Sequence, residues 1–220
     1  MVGLGLHGTS MSARIEAIVR SVRPGVPLYD LCCDHGLIGQ RAYEQRGSTP
    51  VHFVDQSATV ILRLRERLAP FREQLGKDFL IWQAKAEEVP HPARTSDFVL
   101  AGVGIPCAIR ILNALFPDGM GVHRLIIAPQ QKTPPLRAYL RDRGYRLISE
   151  EVLLERGRFR EILVLAADGQ EIAPQAEAYA ERADPLAQAF VRYLSADQEN
   201  IARSRRLKRT GDGQRSSCSS

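Results

Sequence analysis

The sequence predicts an α/β fold in which a doubly wound, mostly parallel sheet is closed by an antiparallel hairpin and followed by a helical extension. Three observations carry that expectation. Five short apolar runs alternate with segments of helical periodicity up to Gly144, and strands joined through helices pair in parallel. Two more strand-like runs, YRLISEEVLL and FREILVLA, then follow one another with only a turn at Glu155 to Arg158 between them, which makes a hairpin. From Ile172 onward the pattern is helical, broken near Asp184-Pro185.

The elements follow in order. Ser10 is placed to cap a first helix, whose Ile15, Ile18, Val19 and Val22 fall at helical spacing ahead of Pro24. VPLYDLCC reads as a buried strand. Gly36 opens a short helix through Ala42 and Tyr43 that Gly47 ends, and PVHFVD is a second strand closing on Asp55. Ser57 caps a helix that passes Val60, Ile61, Leu64 and Leu68 towards Phe71, with Pro70 disturbing its last turn. DFLIWQ makes a third strand, and the loop VPHPARTS leads to a fourth, SDFVLAG. A helix over Ile105 to Leu115 and a fifth strand, HRLIIAP, come next. Thr133-Pro134 is a helix-start signature, and Gly144 stops that helix. A parallel five-strand sheet closed by a hairpin is the organisation of Rossmann-like methyltransferases and is unusual among nicotinamide-binding domains.

The 220 residues allow one substantial core. We divide them into a main domain at 1–168, a helical extension at 169–202 and a basic tail at 203–220. An apolar share of 44 % with 25 % charged residues excludes a disordered chain. No apolar run has the length of a membrane span, and the N-terminus lacks the basic start of a signal peptide, so a cytoplasmic protein is expected. Four cysteines, two of them adjacent, make a poor disulfide framework, and reduced thiols follow. The net charge of +5 lies entirely in the last twenty residues, so residues 1–200 hold equal numbers of basic and acidic side chains. Arg203, Arg205, Arg206, Lys208 and Arg209 form either an idle solvated tail or an arm for phosphate backbones.

The stretch LYDLCCDHGLIGQ falls where an open parallel sheet keeps its ligand crevice, beyond the carboxyl end of the first strand. A turn into a helix N-terminus there presents free N–H groups and suits a carboxylate such as that of S-adenosylmethionine. Asp30 and Asp34 are candidates to meet its ammonium group or a water, Gly36 to let the backbone approach, and Asp55 to accept both ribose hydroxyls. A metal site at Cys32, Cys33, Asp34 and His35 is not expected. Strand alternation sends the two thiols to opposite faces, and no second ligand pair exists. Cys33 reads as a small core residue, and His35 as either a pocket or a plain helix-start residue. The literal GxGxxG at Gly3 to Gly8 has no strand before it and is a chance match.

Over residues 10–167 the chain resembles the bacterial tRNA (adenine-22 N1)-methyltransferase family, known as TrmK. Asp30-Leu31-Cys32-Cys33-Asp34-His35-Gly36 resembles the family's D-x-G-x-D-H-A, and Val54-Asp55-Gln56 falls at its ribose-binding acid. Asp97 to Gly104 resembles D-x-x-x-A-G-M-G-G, and Leu125 to Gln130 resembles L-I-L-Q-P-N. The hairpin is similar too, with GYRLISEE and RFREI standing for G-W-R-I-V-x-E-E and K-F-Y-E-I. Three positions depart: Cys32 and Ile105 replace glycines, and Ala84-Lys85-Ala86 stands where the family has G-D-G.

The resemblance implies an S-adenosylmethionine-dependent methyltransferase acting on tRNA, without a metal. Its cofactor site would comprise Asp30, Cys32, Asp34, His35, Gly36, Asp55, Gln56, Lys85, Ala86 and Ala101. Gly102 and Gly104 would form the wall against which the base slides, with Pro129 and Gln130 across from it. Gln130 can read an adenine edge or merely bond a loop. Other readings stay open: a methyltransferase for another RNA site or a small molecule, and a module that has lost turnover and binds RNA. A nicotinamide oxidoreductase is disfavoured by the first turn.

Overall fold

The computed structural model describes residues 12–130 and 133–196. Ser10, the glycines at 3–8 and the basic tail lie outside the described residues. The chain divides into two compact units, with the boundary between Ile172 and Ala173.

In the first unit the element order is α1 (Ala13–Ser21), β1 (Leu28–Leu31), α2 (Leu37–Arg46), β2 (Val51–Asp55), α3 (Ala58–Leu68), β3 (Phe79–Gln83), β4 (Asp97–Ala101), α4 (Ile105–Leu115), β5 (Arg124–Ala128), α5 (Pro134–Asp142), β6 (Leu147–Glu155) and β7 (Arg158–Ala166). The seven strands form one sheet in the order β3-β2-β1-β4-β5-β7-β6. Strands β1 to β5 are parallel, and β7 joins β5 and β6 antiparallel. The chain winds outward from β1 to β3 and then returns to β4 on the other side of β1. That reversal opens a crevice at the carboxyl ends of β1 and β4.

Local chemistry accounts for most boundaries. Ser57 accepts the N–H of Val60 at 3.4 Å at the start of α3, and Gly47 ends α2 in the left-handed conformation, its N–H reaching the carbonyls of Ala42 and Tyr43. The Pro70 turn is a separate 3-10 segment, Ala69–Phe71. Thr133 does start α5, yet its hydroxyl caps nothing and is donated to Glu161 instead.

The expected strand VPLYDLCC is corrected at its end. It stops at Leu31, because Cys32 and Asp34 take φ of 54° and 49°, which no strand allows. The thiols nonetheless part, through the turn rather than through pleating: Cys33 joins the core that holds Leu28, Phe53 and Val99, and Cys32 packs against the core that holds Leu31, Phe98 and Leu100. Period-2 alternation divides the strands between the same two cores. One is covered by α1, α2 and α3 and the other by α4 and α5.

In the second unit α6 spans Gln175–Ala180, and residues 185–196 are helical after the break at Asp184. The Asp184 carboxylate accepts the N–H groups of Leu186 and Ala187, both at 3.0 Å, and so caps that second helix. No helix among the described residues is long and apolar enough to cross a membrane.

Candidate active site

The carboxyl ends of the five parallel strands lie in register at one edge of the sheet, where Leu31 pairs with Val54 and Leu100, Asp55 with Gln83, and Ala101 with Ala128. The candidate residues of the main domain gather at this edge, Asp30, Asp55 and Ala101 in the last two residues of β1, β2 and β4 and the others in the turns that follow the strands.

The first turn is tightly wound. Cys33 donates its N–H to the Val54 carbonyl at 3.0 Å and accepts that of Gly36 at 2.8 Å. Gly36, at φ 66°, leads into α2, and a Cβ there would come within 2.4 Å of Leu64. This glycine therefore lets α2 pack closely against α3. At Gly39 a Cβ would come as close to Phe53, so α2 lies flat on β2. Among the described residues the N–H groups of Leu37 and Ile38 carry no hydrogen-bond partner, and they are the free donors of the helix start.

Asp30 lies beneath this turn, not on its surface. It is 2 % exposed and accepts the Gly39 N–H at 2.9 Å. Burial pushes its pKa up to about 7; the Gly39 bond opposes the rise, and the charges of Asp55 and Asp34 add to it. Asp34 and His35 are exposed, with His35 Nε2 3.7 Å from Asp34 Oδ1. Cys32 is half-buried, and its thiol is pushed up to about 12, by burial first and then by the neighbouring Cys107 and acids. Burial raises the Cys33 thiol further. Among the described residues no group of three or more His, Cys, Asp or Glu side chains is arranged to hold a metal ion.

Asp55 is the best-fixed acid. One carboxylate oxygen accepts the Ser57 N–H at 2.9 Å, the other that of Asp34 at 3.4 Å, and its carbonyl accepts the Ala84 N–H at 3.1 Å. It links the loops after β1, β2 and β3 while staying partly open to solvent. Gln56 and Lys85 are exposed, and Lys85 pairs with Glu88 at 3.7 Å on the outside. Ala86 is buried in a 3-10 turn, Ala86–Glu88.

Across the crevice, the turn after β4 is zipped to the end of β5. Gly102 donates to the Ala128 carbonyl at 2.9 Å, and Gln130 donates to that of Val103 at 3.0 Å. The structure thus brings Gly102, Gly104, Pro129 and Gln130 together. Gly102 holds φ 74°, and a Cβ there would meet only Gln130 Nε2, at 4.0 Å, so this glycine is required by the turn and leaves open space. Pro129 is buried and Gln130 exposed.

Two supports escaped sequence reasoning. Arg110 of α4 donates to Glu87 at 2.5 Å, closing the rim beside Lys85. Burial would raise the Glu87 carboxyl, but the Arg110 hydrogen bond and charge hold it below the usual range. On the other side, Arg160 donates from Nη1 to the Gln130 carbonyl at 2.7 Å. Next to it, buried Glu161 binds Thr133 and Arg137, tying α5 to the hairpin. The one available signal was the charged pair Arg160-Glu161 directly ahead of the apolar run ILVLA.

A family model described as a methyltransferase domain matches residues 11–163. The chain belongs to this methyltransferase domain family. No curated protein matches the chain. Among solved structures, the methyltransferase is similar to the B. subtilis tRNA m1A22 methyltransferase TrmK, at 19 % identity and TM-score 0.66 over 96 % of this chain and 90 % of the other. TrmK of M. capricolum, in complex with S-adenosyl-homocysteine, gives 12 % identity and TM-score 0.72 over 89 % and 87 %. A Streptococcus pneumoniae protein, Sp1610, in complex with S-adenosyl-L-methionine, gives 21 % and 0.74 over 90 % and 94 %. These likenesses establish the fold of the methyltransferase.

Proposed function

We propose that this methyltransferase transfers a methyl group from S-adenosylmethionine to N1 of an adenine in tRNA, at a position of the adenine-22 type. The observation that carries the reading is Asp55, a carboxylate at the end of β2, next to β1, fixed by two N–H donors and still open to solvent. Its open side suits ribose hydroxyls, and the free N–H groups of Leu37 and Ile38 suit a cofactor carboxylate. The similarity to structures holding S-adenosyl-L-methionine or S-adenosyl-homocysteine supports the same donor, and the similarity to a tRNA m1A22 methyltransferase supports the acceptor. A tRNA acceptor implies a cytoplasmic enzyme.

When bound, S-adenosylmethionine supplies an electrophilic methyl group on a sulfonium. Adenine N1 is a neutral lone-pair nucleophile, so no proton has to leave before it reacts. The chain therefore needs no strong base at the acceptor wall, and alignment is the main demand. Gly102 and Gly104 offer a side-chain-free wall for a base taken out of its stack, and Gln130 can donate to and accept from the adenine edge. Arg160 holds the Gln130 backbone against the hairpin. Cys32 packs against the core cluster that holds Phe98 and Leu100, and Lys85 is drawn outward to Glu88.

The test is to incubate the protein with S-adenosylmethionine and unmodified tRNA transcripts, and to map methylated positions in tRNA from cells with and without the gene. Appearance of 1-methyladenosine at position 22 is expected. Methylation at another nucleotide, or none on tRNA, overturns the assigned acceptor.

A further inference from the structure

The tip of the β6–β7 hairpin and the start of α1 enclose a cavity of about 560 Å³. Four arginines line it, Arg14, Arg156, Arg158 and Arg160, together with Ser12 and a single carboxylate, Glu155. Glu155 is already engaged: it accepts the Ser12 hydroxyl and lies 3.8 Å from Arg14 Nε and 4.0 Å from Arg160 Nε. At those separations it makes ion pairs without hydrogen bonds. Both Nε atoms are buried and lack a hydrogen-bond partner among the described residues. Buried donors left unmet are costly, and an oxygen-rich anion in the cavity would satisfy them.

The turn itself is built against local preference. Arg156 and Gly157 both hold positive φ, 49° and 72°, between the paired residues Glu155 and Arg158. Two positive φ values make a turn that favours Asn, Asp or Gly at its first position, and an arginine there carries the steric cost of its Cβ. That cost places a fourth guanidinium at the cavity. Arg160, meanwhile, reaches out of it to the Gln130 carbonyl, so the cavity adjoins the acceptor wall through one side chain.

Guanidinium groups match phosphate oxygens in geometry and charge. A nucleotide drawn out of its stack brings its flanking phosphates with it, on the side away from the base. We infer that this arginine cavity binds phosphodiester groups of the RNA strand next to the methylated adenine, an assignment that rests on the RNA acceptor proposed above. The overall charge balance of residues 1–200 conceals this cluster, which sets four arginines against one carboxylate.

The experiment uses the full-length chain and an unmodified tRNA transcript across a salt series. In an Arg14→Gln/Arg158→Gln double variant, affinity falls and the slope of log affinity against log salt becomes shallower by about 1 to 2, the loss of one or two phosphate contacts. The KM for tRNA rises while kcat and S-adenosylmethionine affinity stay at wild-type values. Glu155→Gln, which removes the cavity's carboxylate, acts in the opposite direction and tightens tRNA binding, so the test stands even where the double variant folds poorly. A wild type that methylates tRNA, with variants of unaltered affinity and slope, overturns this inference alone. A wild type that neither binds nor methylates tRNA overturns the acceptor reading and this inference with it.

Discussion

The buried carboxylate of Asp30 accepts the main-chain N–H of Gly39 at 2.9 Å, tying the end of β1 to the first turn of α2. Its pKa, about 7 in the folded protein, is well above the value near 3.9 of an unfolded aspartate. The folded state therefore favours the protonated form. This contribution to stability is fully present below about pH 4 and is lost as pH rises through about 7. Asp30→Asn keeps an oxygen for the Gly39 N–H and cannot ionise. We expect its melting temperature to match that of the wild type below about pH 4 and to exceed it increasingly from there to pH 8. His52, whose pKa burial lowers to about 4, titrates equally in both proteins, so their difference isolates Asp30. A wild type that is the more stable of the two at pH 8 contradicts this account.

Asp55 should govern cofactor affinity. Its carboxylate is fixed by Ser57 and Asp34 and presents charge where the ribose of S-adenosylmethionine is proposed to lie. Hydrogen bonds to a charged group contribute about 1.5–3 kcal/mol each, so Asp55→Ala should weaken binding at least about tenfold. Asp55→Asn, which retains an acceptor, should fall between the two. Titration calorimetry with the isolated cofactor decides it, and equal affinity of the alanine variant and the wild type would remove Asp55 from the site.

Cys32 holds a left-handed backbone with φ 54° at the position where the resembled motif has glycine. A Cβ there costs about 1–2 kcal/mol, part of which glycine returns through its greater freedom in the unfolded chain. Removing the half-buried thiol also costs packing, equally in Cys32→Ala and Cys32→Gly. The glycine variant should consequently be the more stable of the pair by several tenths of a kcal/mol or more in urea unfolding. An alanine variant as stable as the glycine one would show that the turn tolerates a side chain without strain.

Where the fold depended on local signals, the sequence was readable. Ser57, Gly47 and the Pro70 break lie within one turn of the boundary they set, and the limits of α4 follow from its apolar spacing. The early end of β1 was not readable, because Cys32-Cys33 is as compatible with a strand as Leu31, and its positive φ is imposed by the turn into α2. Asp55 was legible as a strand-end acid, whereas the burial of Asp30 depends on where α2 lies. Arg160 and Gln130 are thirty residues apart in the chain, and only the β5–β7 pairing brings them together. The masking of the arginine cavity by overall charge has the same origin, since composition carries no positions.

The ion network beneath the acceptor wall yields the largest stability effect. Arg137 is 1 % exposed and donates through Nε to Glu161 at 2.9 Å, while its Nη2 reaches both Glu161 and Glu150. Thr133 adds its hydroxyl to Glu161. The burial that would lower the arginine's pKa is outweighed by the two carboxylates, which raise it and keep the guanidinium charged. Truncating it in Arg137→Ala strands buried negative charge, and breaking such a pair costs about 3–5 kcal/mol. Replacing Arg137 and Glu161 together, as in Arg137→Met with Glu161→Leu, removes one of the two carboxylates along with the arginine while Glu150 keeps its charge, and should recover part of that loss. Urea unfolding of the single and double variants closes the cycle. If the single variant loses less than about 1 kcal/mol, the network does not anchor α5 to the hairpin, and Gln130 is held by Arg160 and Val103 without it.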